Sequence, residues 1–364
     1  MKFIDLFCGI GGISYGFKKA GLIPLMGIDI DETAGKVYEK FINPLQGFMA
    51  ADLFKLDPAS LPDVEIIAGG PPCQGFSTVN GAGRSSKKND RRNQLIKIFG
   101  DIVLAKRPLI FFFENVPPVK NTRRFMNMVN RLKEIYEVEY RIVDLGTLGG
   151  GPWEPKKPLT HRRRLICIGV KKGLNIKPDI LFPQTEENPL PLKEVLRIGN
   201  KGDTRRRNLS ERLLKLAEYI KPGMKRTDVP ADIQKKYFYK CWLNTEGFKD
   251  VFSRIDPEKP LPYITGGILR PDKGPFLHPE EHRGFTVEEA KYIMSFPQEL
   301  DLSKVPLRKI ESYLGNAFPP QSAYAFGKKI MEVFGGKDID ISKSKTVSAE
   351  TVKHEIEPVG SVEI

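Results

Sequence analysis

The stretch MKFIDLFCGIGGISYGFKKAGLIPLMGIDIDETAGKVYEKF, residues 1–41, decides the fold. Phe3–Phe7 reads as a strand, Ile13–Ala20 as a helix and Leu25–Ile28 as a strand. Glu32–Phe41 follows as a helix with apolar residues at helical spacing. The alternation continues with a strand at Val64–Ala68 and an amphipathic helix at Gln94–Lys106. Pro108–Phe113 (PLIFFF) is a fully apolar strand, as a sheet covered on both faces requires. Arg124–Tyr136 reads as a helix, and Val138–Asp144 and Arg164–Val170 as later strands. Strands alternating with helices predict an α/β fold built on a doubly wound, mostly parallel sheet.

The texture changes near Lys177. From there to about Tyr263 the chain is irregular, proline-rich and basic, with interleaved aromatics. Helices are expected again at Val287–Met294 and Tyr324–Phe334. We therefore expect a large domain over 1–183, a smaller irregular one over 184–275 and a returning hinge over 276–311. Residues 312–335 complete the large domain, and 336–364 form a flexible tail.

The net charge of +13 points toward a polyanion, with nucleic acid first. The tail sums to −2, so the basic excess lies in the first 335 residues. No run of about 18 apolar residues occurs, so no membrane span is expected. The N-terminus runs straight into a strand carrying an acid, which argues against a signal peptide. Four scattered cysteines without a C-x-x-C pair argue for a reducing cytoplasm, and four scattered histidines give no metal site.

Chemistry concentrates where strands end. Asp5–Gly12 (DLFCGIGG) joins the first strand to the first helix, and glycines there let backbone approach a ligand. Ser14 stands where a dinucleotide fingerprint needs its third glycine. Asp29 ends the second strand, where a ribose carboxylate belongs in such folds, and Asp52 follows at a third strand end. Taken alone, this loop and acid fit a generic adenosine site and a purely structural turn equally. Gly69–Ser77 (GGPPCQGFS) carries Cys73 just after a strand, stiffened by prolines in front and released by glycine behind. A lone cysteine is ordinarily a packing residue; this frame suits a sulfur that must be aimed.

Taken in order, DLFCGIGG (5–12), Asp29, Asp52, GPPCQGFS (70–77), FENV (113–116), the arginines at 162–164, RGFTVEEAKYIMSFP (283–297) and GNAFPP (315–320) resemble the cytosine-C5 DNA methyltransferases. The resemblance covers nearly the whole chain. It implies a class I, Rossmann-like catalytic and cofactor-binding domain, a target-recognition domain at 184–275, and S-adenosylmethionine as cofactor without a metal. It implies that Cys73 is the nucleophile, Glu114 its catalytic partner, and Arg162 and Arg164 the groups that steady the active site and target base. Phe7 and Ile30 would sandwich the adenine, Asp29 would bind the ribose hydroxyls, and Asp52 would contact the adenine amino group beside Leu53. Gly9, Gly11, Pro71, Leu95 and Asn316 would line the remainder. The chain departs from the family at Thr160, where glutamine is usual, and at Glu288-Glu289, where Arg-Glu is usual.

The expected partner is double-stranded DNA, met by a monomer, with a cognate restriction endonuclease as a candidate associate. Residues 78–93 hold five basic residues against Asp90 and are expected to close over DNA and cofactor. Arg205–Arg207, Lys225, Arg226, Lys235 and Lys236 are the candidate phosphate and base contacts. Tyr237–Trp242 are expected to be small-domain core, and Cys8, Cys167 and Cys241 packing residues. The competing readings are the same chemistry on tRNA and a non-catalytic DNA-binding module.

Overall fold

The computed structural model describes residues 1–72, 91–185, 188–197, 204–243 and 249–335. Its strands are β1 (Lys2–Leu6), β2 (Ile23–Asp29), β3 (Phe48–Ala50), β4 (Ile66–Gly69), β5 (Ile110–Asn115), β6 (Tyr136–Asp144) and β7 (Arg163–Lys171). They form one sheet in the order β3-β2-β1-β4-β5-β7-β6. The first five are parallel, and β7 runs antiparallel to both β5 and β6. The doubly wound, mostly parallel sheet is the expected one.

Both faces of the sheet are covered, which explains the unbroken apolar strands. Along β5, Phe112 faces Phe17 of α1 (Gly12–Lys19) and Phe326 of α10 (Pro320–Phe334). Phe111 and Phe113 face the other way, onto Phe99 of α3 (Leu95–Lys106); Phe113 also meets Phe125 of α4 (Arg123–Leu132). Each of these fully buried rings contributes about 1.5–3 kcal/mol. The helix expected over Arg124–Tyr136 stops at Leu132, because Tyr136 opens β6. Its ring packs on Phe111 and its hydroxyl donates to the Pro108 carbonyl (3.0 Å). Tertiary contact overrides helical spacing there.

Helix α2 (Glu32–Ile42) follows β2. The chain beyond β7 carries α5 (Glu211–Tyr219), α6 (Ala231–Tyr237), α7 (Lys240–Leu243), α8 (Val287–Ile293) and α9 (Leu307–Asn316). Helix α9 crosses the expected 311/312 boundary. A small separate core joins Leu213, Leu216, Val229, Phe238, Phe252 and Leu277. Residues such as Leu192, Leu261 and Phe276 instead pack with the returning segment and with Ala34 and Val37 of α2. Among the described residues, no helix is long and apolar enough to cross a membrane.

The Glu288-Glu289 departure has a structural account. Glu289 closes a capping box with Thr286 and receives both Arg283 Nη atoms at 2.8 Å. Glu288 takes Lys291 at 2.9 Å, so the buried cation here comes from within the helix. Burial alone would raise the Glu289 carboxyl, but Arg283, His278 and the Thr286 N–H hold it at about 2. That lowered value contributes stability in full above the unfolded glutamate range, and the contribution is lost as pH falls toward 2. Glu289→Ala leaves the Arg283 guanidinium, itself 10% exposed, with only the largely exposed carboxylate of Glu281. We expect a loss of about 1.5–3 kcal/mol in urea unfolding at neutral pH, because a charge-assisted pair and a helix cap are lost while Arg283 keeps Glu281.

Candidate active site

A cleft of about 1520 Å³ opens at the carboxyl ends of β1, β2, β4 and β5, around the point where strand order reverses. It gathers Phe7, Gly9, Asp29, Ile30, Asp52, Leu53, Pro71, Leu95 and Asn316 on one cavity with Glu114, Arg162 and Arg164. Cys73 and most of the basic segment 78–93 lie outside the described residues; Arg91 and Arg92 line the cleft.

The first loop is shaped by backbone. Phe7 leaves β1 at φ 61°, a conformation strained for a bulky residue and typical of ligand-facing turns. The Gly9 N–H donates to Asp29 Oδ2 (2.9 Å), and the Asp31 N–H donates to Oδ1 (3.0 Å). Ile30 is 71% exposed and lines the cleft. Gly11 is absent from the cleft lining. It caps α1 at φ 91°, and a Cβ there would come within 2.7 Å of Ile42, so its glycine serves the turn and the packing of α2.

The reacting end is built from two strand ends. Arg164 at the start of β7 places Nε 2.9 Å from Glu114 Oε1, with both side chains under one-fifth exposed. Gly70 permits this: a Cβ there would sit 2.6 Å from Glu114 Oε2. Asn115, buried, donates from Nδ2 to the Pro71 carbonyl (3.1 Å) and so ties β5 to the segment leading to Cys73. Arg162 is buried and donates to the Gly315 carbonyl (3.1 Å), while its own N–H is held by Asp144 (2.8 Å). Asp144 also takes His161 Nδ1 at 2.6 Å, and His161 lines the cleft.

Cys8 also lines the cleft, but burial first, then Asp5 and Asp29, push its thiol well up. It is a packing residue, as is buried Cys167. Cys241 departs from the expectation: it is exposed, because short α7 lies at the rim of the small core and turns Trp242 inward. Tyr237 and Phe238 are buried in that core and Trp242 packs against it, as expected, whereas Tyr239 is exposed.

The candidate DNA contacts divide. Arg205 donates to the Leu302 and Val305 carbonyls, Arg207 pairs with Glu311, and Arg226 is buried against Phe238 and Trp242. These three are structural. Arg206, Lys225, Lys235 and Lys236 are exposed. Residues without an assigned role in the sequence also line the cleft, notably Asp5, Asp31, Tyr263, Thr265 and Tyr313. Asp31 carries a local signal as the cap of α2, whereas Tyr313 reaches the site only through a contact 282 residues distant.

Strand-end acids, a glycine-rich first loop and a Glu–Arg pair on one cleft define an α/β methyltransferase. Residues 1–332 match the family described as C-5 cytosine-specific DNA methylase, and the chain belongs to that family. It is a DNA cytosine-C5 methyltransferase, and the family implies use of S-adenosylmethionine. The chain is 27% identical over 337 residues to the type II methyltransferase M.Eco47II of Escherichia coli, covering 91% of this chain and 78% of that protein. It is 28% identical over 398 residues to the type II methyltransferase M.DdeI of Desulfomicrobium norvegicum, covering 96% and 92%. In fold it resembles a protein encoded within an E. coli prophage, with a TM-score of 0.63, 23% identity, and 92% and 99% coverage.

Proposed function

We propose that the chain methylates C5 of a cytosine within a specific duplex DNA sequence, through a covalent bond between Cys73 and C6 of a base turned out of the helix. The observation that carries the reading is the Glu114–Arg164 pair on the same cleft as the strand-end acids Asp29 and Asp52.

One oxygen supports the fit of S-adenosylmethionine. Asp5 Oδ1 is buried and has no hydrogen-bond partner among the described residues, while Oδ2 accepts from the Ser14 hydroxyl (2.6 Å). Burial, opposed by Ser14 and aided by Asp29, pushes Asp5 up to about 7. An unpartnered carboxylate oxygen beside the cleft suits a cationic ligand. Phe7, Gly9, Asp29, Ile30, Asp52, Leu53, Pro71, Leu95 and Asn316 would hold that ligand. When bound, its sulfonium supplies an electrophilic methyl group.

Cytosine C5 is a poor nucleophile. A thiolate at Cys73 adding to C6 makes the ring an enamine and C5 electron-rich. Negative charge then builds on N3, and a proton held between N3 and Glu114, which Arg164 steadies, meets it. Once C5 carries the methyl group, loss of its proton to a water restores the C5–C6 double bond and expels the Cys73 thiolate. A stacked cytosine cannot reach such a site, so the base leaves the duplex.

The proposed reading domain is residues 184–275, whose small core also takes in Leu277 and whose Arg206, Lys225, Lys235 and Lys236 are exposed. The type II methyltransferase relatives support a modification enzyme, for which we propose a cytoplasmic setting and a cognate endonuclease as associate. Labelled S-adenosylmethionine offered with duplex DNA and with tRNA tests the function. Label should enter DNA at one recurrent cytosine context by bisulfite sequencing; label confined to tRNA, or absent from both, would overturn the proposal.

A further inference from the structure

We propose that Lys309 and Tyr313 of α9 are positioning residues for the methyl-donor site, acting through Asp31. The inference rests on reading the cleft as the S-adenosylmethionine site.

Asp31 follows Asp29 and Ile30 at the end of β2 and caps α2, its Oδ1 accepting the Thr33 N–H (2.9 Å) and Ala34 N–H (3.3 Å). The same carboxylate is held from the far end of the chain. Lys309 Nζ donates to Oδ1 (3.0 Å) and to Thr33 Oγ1 (2.7 Å), and the Tyr313 hydroxyl donates to Oδ2 (2.7 Å). The Asp31 N–H in turn donates to Asp29 Oδ1, whose other oxygen accepts the Gly9 N–H. A continuous hydrogen-bonded path therefore runs from α9 to the proposed ribose carboxylate and the first glycine loop.

A simple brace between helices would not need this cluster. Helices α2 and α9 already share an apolar core, with Ala34 and Val37 in one cluster with Ile310 and Leu314. The polar contact lies instead at the cleft end, where Asp31 and Tyr313 both line the cavity. Burial would raise the Asp31 carboxyl, but Tyr313, Lys309 and the capping N–H groups outweigh it and hold it below the usual range. An anionic Asp31 with fixed donors leaves the Asp29–Asp31 turn one arrangement, so Asp29 is oriented before any ligand arrives. Without those donors the turn gains alternatives, and binding must select among them.

The test is calorimetric titration of the full chain with S-adenosylhomocysteine, together with initial rates and ligand-free melting. Tyr313→Phe, which removes one oxygen, and Lys309→Met should each raise the Kd about five- to tenfold, with the KM for DNA within about twofold. The double variant should lose less than the product of the singles, because both act on one carboxylate. An unchanged Kd in both variants overturns the inference and leaves the reading of the cleft standing. A wild type that does not bind S-adenosylhomocysteine overturns both. Equal losses toward DNA and methyl donor, with a lowered melting temperature, mark a structural brace and also overturn the inference.

Discussion

Replacing Cys73 by alanine should lower methyl transfer by at least about 10³-fold while leaving S-adenosylhomocysteine affinity within about threefold. The size follows from the substrate: without addition at C6, cytosine C5 has too little electron density to attack a methyl group. No other described thiol can substitute. Cys8 is buried with its thiol pushed up, Cys167 lies inside β7, and Cys241 is on the small core. The affinity follows from the site: Asp29, Asp52 and Phe7 come from other strand ends. Duplex DNA carrying 5-fluorocytosine separates the lost step from a lost fold. Fluorine at C5 cannot leave as a proton would, so the wild type should be trapped as a complex that survives denaturation, and Cys73→Ala should give none. A variant that retains activity within about tenfold of wild type would remove the covalent route.

The strands were legible because a sheet covered on both faces leaves a plain signal: PLIFFF has no polar position to confuse it. The cleft was legible where strands end, since Asp29, Asp52 and Glu114, which line it, each follow an apolar run directly. What the sequence hid depends on contacts between distant segments. Helix α9 is short and its apolar side is narrow, so its identity rests on Ile310 and Leu314 joining the core that also holds Phe276, Phe285 and Ala34. Tyr136 belongs to a strand because of Phe111 and the Pro108 carbonyl. The arginines of the second half were misleading in a consistent way. Arg205, Arg207 and Arg226 look like phosphate contacts in a basic stretch, yet each satisfies buried carbonyls, a carboxylate or aromatic faces. A guanidinium carries enough donors and enough flat apolar surface to serve as structure, and charge counting cannot distinguish the two uses.

Glu114→Gln should lower kcat about 10²- to 10³-fold with the KM for DNA within about threefold, because the group acts as charge builds on the ring and not when the base is bound. The variant keeps the side-chain shape over Gly70, so the close approach that excludes a Cβ there is undisturbed. It removes the charge that Arg164 Nε meets at 2.9 Å. Arg164→Met removes the other partner and should lower kcat about 10- to 100-fold. The informative quantity is the pair. If Arg164 works by steadying Glu114, the double variant should be scarcely slower than Glu114→Gln alone, a coupling of about 1–3 kcal/mol. If Arg164 instead acts on the base independently, the two losses will multiply. Single-turnover rates at saturating DNA measure this directly, and ligand-free melting shows whether either variant has merely loosened the β5–β7 junction. A Glu114→Gln enzyme slowed less than about threefold would displace Glu114 from the reaction and leave the ion pair as a fastening between two strand ends.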